Sequence, residues 1–419
     1  MSDRRTSACS VAELGSFWRP SLTSFALLSV GYLPVALLGV LAVQLEAALV
    51  MTPVDIGLAI AAYWATNAVA APIVGHRADQ HGWAPTGALG VAMSGLILFL
   101  LAAVVGSKPT LMLAMAIAGV GLALCSQSSN LTIAREVPWS RQGRAFGLKQ
   151  TAPPIIAMAS GLIVAGIAVP FGWRWAFLTG AVLALPAAVL MTPYLRQHRS
   201  NDAVGRPRDD TPDLSHETTP PHRAIVLIAA GVGCASVSIA ALGAFSVPTL
   251  VSSGVGAGAA ATMFAGASAI AVIGRLATGW VADRRGHTSL TGTAIIIGAS
   301  AGGVVLLAVP SPAVAAIGLA IALTLGWGWP PALYPVVMRY WRQATARTTG
   351  FVSIGTSAGA SVGPVMFGVI VASRGYSAAW VATGFLSLCA AAFLLAAQRA
   401  MTGHGPRTPV PTTIVAIHE

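Results

Sequence analysis

The chain has 419 residues, 55% of them hydrophobic and only 9% charged, with a mean hydropathy of +0.75. A soluble domain carries about 25% charged residues, so a chain this apolar must use lipid as part of its solvent. The net charge of +11 would suit a nucleic-acid binder, but the basic residues form no stripe or aromatic-interleaved patch; they sit in short segments between apolar runs, where they mark topology instead.

The opening stretch MSDRRTSACSVAELGSFWRP has no apolar h-region, so the first helix is expected to serve as the insertion signal. Apolar runs of roughly 20 residues, one bilayer crossing each, follow near 21–43, 54–74, 84–105, 110–133, 147–169 and 174–194. Between the first two, Glu46 falls on the outer side, and Thr52-Pro53-Val54-Asp55 reads as a helix start with Thr at the cap, Pro at N1 and Asp at N3. The fourth run carries Gln127-Ser-Ser-Asn130. The fifth opens with Gly147-Leu-Lys149-Gln150-Thr-Ala-Pro153-Pro154, a lysine beside a Pro-interrupted helix. Trp173-Arg174-Trp175 reads as an interfacial aromatic anchor.

A polar stretch at 196–222, rich in Pro, Asp, Thr and Arg, cannot bury a core and is expected to be a linker. Six further runs follow near 224–250, 257–281, 289–309, 312–336, 350–372 and 378–398, the tenth of them carrying Trp327-Gly-Trp329-Pro-Pro. The expected architecture is an all-α polytopic membrane protein of twelve transmembrane helices: tail 1–20, six-helix bundle 21–195, linker 196–222, six-helix bundle 223–399, tail 400–419. With the N-terminus inside, the outer loops hold only Lys108, Arg174 and Arg374; the other 21 of the 24 Lys and Arg fall inside. That asymmetry places both termini in the cytoplasm. The preference for Arg over Lys and the high Ala content suggest a GC-rich bacterial genome, and hence the bacterial plasma membrane.

The two halves repeat at a nearly constant offset. Gly75-His-Arg-Ala-Asp79-Gln-His-Gly82 returns as Gly279-Trp-Val-Ala-Asp283-Arg284-Arg-Gly286; Arg135 returns as Arg339, Arg144 as Arg347, and Gly172-Trp173 as Gly375-Tyr376. Four landmarks in register indicate a duplicated six-helix unit with pseudo-two-fold symmetry. The loop after the second helix, with its echo after the eighth, resembles the G-x-x-x-D-R-x-G-R-[KR] signature of the major facilitator superfamily. The first copy is degenerate: Gln80 replaces the expected Arg, and Trp83 and Ala84 replace the trailing basic residues.

The resemblance implies secondary active or facilitative transport of a small organic solute by alternating access. It also implies that Gly75, Asp79, Gly82, Gly279, Asp283, Arg284 and Gly286 form a conformational latch on the cytoplasmic side, with Arg275 as a further partner. The alternative for these loops is a plain solvated turn.

Substrate contacts are sought among polar and aromatic residues inside the helices, which are costly in lipid unless they face the bundle interior: Tyr32, Asn67, Gln127, Asn130, Lys149, Gln150, Trp327, Trp329 and Tyr334. Gln127-Ser-Ser-Asn130 and Trp327-Gly-Trp329 occupy matched helices of the two halves. Packing and helix–helix hydrogen bonding are the alternative roles. Lys149 could hold an anionic group or simply snorkel to the interface. None of the 13 acids lies deep in an expected helix, so the lean is to an organic anion.

The competing reading is proton-coupled drug efflux, but the R-x-x-Q-G marker of such exporters is replaced here by Met115-Ala-Ile-Ala118-Gly119. Their G-x-x-x-G-P pattern, normally in helix 5, is approximated only at Gly359–Pro364 in helix 11. An enzyme is not expected: the eight His fall in loops or tails, and there is no metal spacing, phosphate loop or nucleophile–base pair. Cys9, Cys125, Cys234 and Cys389 show no paired spacing and read as free thiols. No cofactor or nucleic acid is expected. The partners are a small-molecule substrate, a coupling proton if transport is proton-driven, and the lipid bilayer, with the chain working as a monomer.

Overall fold

A computed structural model describes residues 3–202, 222–285, 289–340 and 345–402, and all its regular elements are helical. The first half comprises α1 (Asp3–Val40), the short α2 (Ala42–Leu49), α3 (Pro53–His81), α4 (Trp83–Ala103), α5 (Lys108–Glu136), α6 (Trp139–Lys149), α7 (Ala152–Ile163), α8 (Val169–Phe171), α9 (Trp173–Leu183) and α10 (Leu185–Asp202). The second half comprises α11 (His222–Ser252), α12 (Ala257–Arg285), α13 (Leu290–Leu306), α14 (Pro312–Gly326), α15 (Pro330–Tyr340) and α16 (Thr345–Thr402). Helix α1 extends back through the expected N-terminal tail, and α10 runs on to Asp202, into the expected linker; residues 203–221 lie outside the described residues.

Among the described residues ten helices are long and apolar enough to cross a membrane, and Leu290–Leu306 is a shorter apolar helix. One of the ten spans 51 residues, Phe351–Met401. At about 1.5 Å per residue it would overrun a roughly 30 Å hydrocarbon core more than twofold if straight. It folds back at Gly375, where φ is +80°. Counting its two arms and the shorter helix separately gives twelve crossings. Gly172, its mate in the repeat, turns α8 into α9 with φ +101°. Both positions need a left-handed residue without a Cβ, which is why glycine stands there.

Chain starts and caps follow the sequence logic. Thr52 Oγ1 accepts from the Asp55 amide at 3.2 Å, and Asp55 Oδ2 accepts from the Thr52 amide at 2.8 Å, closing a capping box. Lys108 Nζ sits 2.9 Å from the same carboxylate, tying the start of α5 to the start of α3. The capping role expected of Asp55 is thus the one it plays.

The repeat is visible in how the halves meet. A Cβ added to Gly39 would lie 2.3 Å from the Gly243 carbonyl oxygen; Gly57 stands at 2.4 Å from the Pro364 oxygen, Gly161 at 2.7 Å from that of Ala261, and Gly368 at 2.5 Å from that of Pro53. Gly39 and Gly243 are offset by 204, so two repeat-related residues touch each other and the pseudo-two-fold axis passes between them. Gly57 maps onto Ala261 with the same spacing and Gly161 onto Pro364 with a spacing of 203, so the α3–α16 contact and the α12–α7 contact are one interface used twice. All four approaches lie at the end of the bundle remote from the chain termini. Among the described glycines, no added Cβ comes within 3 Å of the opposite half anywhere else. The bundle is sealed at that end.

Candidate functional site

The crossing that carries Lys149 is broken. Helix α6 ends at Lys149, Gln150 and Thr151 form a turn, and α7 restarts at Ala152. Pro153 and Pro154 explain the break: neither can donate an amide back to the preceding turn, and each disfavours helix at the residue before it. Five residues of π-helix, Val164–Ala168, follow within the same span. The restarting end offers few free amides, because two of its first three residues are proline, so a charged ligand there must be met by side chains.

Lys149 supplies that charge. Its side chain is buried, 4% exposed. Its ammonium donates to Asn130 Oδ1 on α5 and stands 5.6 Å from the centre of the Phe146 ring. No described carboxylate lies within ion-pair distance of it; the described acids that do pair are Asp55, with Lys108, and Asp79, with Arg135. Position 149 is about 18 Å along the crossing from Gly161 in the seal, at 1.5 Å per residue. The cation therefore sits well below the sealed end. A simple snorkelling lysine would keep its head in water, and this one does not.

The other sequence candidates are distributed differently. Gln127, Asn130 and Gln150 are half-buried, and Gln127 and Asn130 lie one turn apart on α5. Asn67 on α3 is 9% exposed, and its Oδ1 is buried without a hydrogen-bond partner. Tyr32 on α1 makes an edge contact with Trp64 on α3, with ring centres 5.6 Å apart. Trp327 packs into the main apolar core and donates to the Ile239 carbonyl at 3.4 Å. Trp329, 2% exposed, lies in the second core with Leu333 and Val337. These two tryptophans pack in this conformation, although their helix is the repeat partner of the one bearing Gln127 and Asn130. The Tyr334 side chain lies outside the described residues. Phe146, against Lys149, and Trp64, against Tyr32, join these candidates through their contacts; neither stands out in the sequence.

In the loop after α3, Asp79 pairs with Arg135 of its own half at 3.1 Å and with no described cation of the other half. Trp83 donates to Glu136 Oε1 at 3.3 Å, and Gln80 donates only to His76 of its own helix at 2.9 Å. Gly75 sits close to Gln127, and Gly82 makes the turn between α3 and α4 with φ +93°. In the second copy, Arg275 is 6% exposed on α12; the side chains of Asp283 and Arg284, position 279, and the whole of Gly286 lie outside the described residues. The first loop is thus tied to α5 while the two halves are closed at the opposite end.

Comparison with known proteins places this arrangement. The family model described as Major Facilitator Superfamily matches residues 22–350, more than half of the chain. No protein of curated function matches the sequence. Among solved structures, a bacterial homolog of the human lysosomal transporter Spinster, in an inward-facing and occupied conformation, superposes with a TM-score of 0.72 at 16% identity, covering 93% of this chain and 98% of that chain. The same homolog, inward-facing and unoccupied, gives 0.71 at 17% identity, with the same shares of each chain covered.

Proposed function

This chain belongs to the Major Facilitator Superfamily, and from that premise we propose that the solute it transports is a small organic anion, anchored by Lys149. One observation carries the reading: a buried cation whose side-chain partner is the neutral Asn130 oxygen, with no described carboxylate beside it. An unpaired charge inside a membrane bundle costs about 2.5–3.5 kcal/mol at a helix centre, and the opposite charge of a passing substrate offsets it. Asn130 holds the ammonium in place until the anion arrives. Gln127 and Gln150, half-exposed next to this pair, are suited to hydrogen-bond the rest of a polar solute.

Alternating access follows from the duplicated seal. Rocking the halves about the axis through Gly39 and Gly243 would open the sealed end and close the other. The latch loops would then engage across the halves, and Asp79 would exchange Arg135 for contacts on the second bundle. By the positive-inside asymmetry the sealed end is outside and the state described is inward-facing, in a bacterial plasma membrane.

Two experiments test this reading. Single cysteines at Ser107 and Ser373, in a cysteine-free background, are expected to react with an impermeant maleimide in intact cells, and one at Ser215 is not; labelling at Ser215 would reverse the orientation. Counterflow of labelled metabolites into proteoliposomes is expected to retain a carboxylated or phosphorylated solute, with Lys149→Gln raising its apparent KM at least about tenfold, equivalent to roughly 1.4 kcal/mol. A transported solute without negative charge, or an unchanged KM in Lys149→Gln, would remove the anion assignment and leave the transporter assignment standing.

A further inference from the structure

Glu46 lies on α2, between the spans Phe17–Val40 and Pro53–His81 and outside both. Ala42 and Leu45 bury one face of this short helix, which packs against α11 of the opposite half as well as against α1 and α3. Glu46 Oε1 is fully buried without a hydrogen-bond partner, and Tyr376, at the start of the second arm of α16, lies within its electrostatic reach. The helix closes in strain: Val50, 80% exposed, is held left-handed at φ 52°, a conformation costly for a β-branched residue. The amides of Val50 and Met51 both close onto the Glu46 carbonyl.

The groups around Glu46 do not neutralise it. Among titratable residues, α1 offers Tyr32, two turns or more back from its end. On α3 the nearest charged side chain is Asp55, already held by Lys108 of α5. The last half of α11, Val237–Ser252, has no titratable residue. On α16, Tyr376 is accompanied by Arg374, which is exposed. An ionised carboxylate with a buried, unpaired oxygen is disfavoured in such a place.

We propose that Glu46 is a proton-operated gate on the seal: protonated, it lets α2 seat against the second half and the sealed end stays closed; ionised, it draws α2 toward water and the seal opens. Burial pushes the Glu46 carboxyl up from the ordinary 4.5 to about 7, in keeping with this geometry. The sealed state therefore holds the proton more tightly than a hydrated carboxylate would. Its advantage is complete below pH 4.5, falls as pH rises from 4.5 to about 7, and stays lost above that.

The test needs no substrate. Spin labels go on Gly106→Cys and Gly256→Cys, outer-end loop positions of the two halves where an added Cβ meets nothing within 4 Å, in an otherwise cysteine-free chain in nanodiscs. Raising the pH from 4.5 to 8 is expected to increase the long-distance, seal-open population relative to the closed one by at least about tenfold, the factor that one pKa unit of difference between the two states supplies. Glu46→Gln and Glu46→Ala are each expected to flatten that response, with Gln fixed in the closed distribution. A pH-independent distribution in the parent chain, or a full response retained in either variant, would overturn the proposal.

Discussion

Gly57→Val is expected to drive the protein out of the sealed conformation while leaving each half folded. The Cβ it adds would fall 2.4 Å from the Pro364 carbonyl oxygen and 2.8 Å from the carbonyl carbon behind it. Neither is the movable tip of a side chain, so relief requires α3 and α16 to separate, and those helices belong to different halves. Overpacking costs about 1–3 kcal/mol, which for an equilibrium between two states is a shift of roughly 5- to 150-fold. Gly39→Ala, whose Cβ would meet the Gly243 oxygen at 2.3 Å, acts at the axis itself and is expected to shift the population the same way. Both shifts are read from the label pair at positions 106 and 256.

Gly119→Ala provides the contrast. Its added Cβ would fall 2.1 Å from the Tyr63 carbonyl oxygen within a single half, so it should lower thermal stability without favouring either conformer. Asp79→Asn should move the population opposite to Gly57→Val by a few-fold if the proposed latch, engaged when the seal is open, holds Asp79 more tightly than its exposed pair with Arg135 does in the sealed state. If Gly57→Val and Gly119→Ala both merely destabilise the chain, the seal is not a separable interface.

The duplicated architecture was legible in the sequence because its signals are local. Runs of apolar residues count crossings, and Gly172 and Gly375 mark turns that only glycine makes cheaply. The offset of 204, read from the loop motifs, also predicts that Gly39 and Gly243 are equivalent, and the fold brings that pair together. What the sequence does not encode locally is which end of the bundle is closed. That depends on inter-half contacts such as Gly57 with Pro364, separated by some three hundred residues.

The site was half legible for the same reason. Lys149 stood out by charge, but its bond to Asn130 needs two helices brought together. Trp327 and Trp329 lie on the helix that the repeat matches to that of Gln127 and Asn130, yet large aromatic surface is better buried against Leu333 and Val337 than left in a polar space. Glu46 was read as a loop acid beyond the first helix. The signal for α2 was present in Ala42, Leu45 and Leu49, an i, i+3, i+7 stripe, but eight residues are too few to stand out beside runs of twenty.

Asn130→Asp separates an anion anchor from a packing lysine. The change is nearly isosteric and puts a carboxylate oxygen where the amide oxygen now accepts the Lys149 proton. If the ammonium is charged and short of a counter-ion, the new pair satisfies it within the protein. An ion pair of good geometry inside the bundle offsets its own burial where a lone charge cannot, so the variant should be at least as thermally stable as the parent. The same pair occupies the charge a substrate would use. Transport of the anion should therefore fall by an order of magnitude or more, while Lys149→Gln, which removes the charge altogether, should weaken binding without the gain in stability. Combining Asn130→Asp with Lys149→Gln leaves a half-buried carboxylate without its cation and should be the least stable of the set. Melting temperature and counterflow together decide the matter. A stabilised Asn130→Asp with unaltered counterflow would mean that the lysine is structural, and the anion would have to be held elsewhere in the bundle.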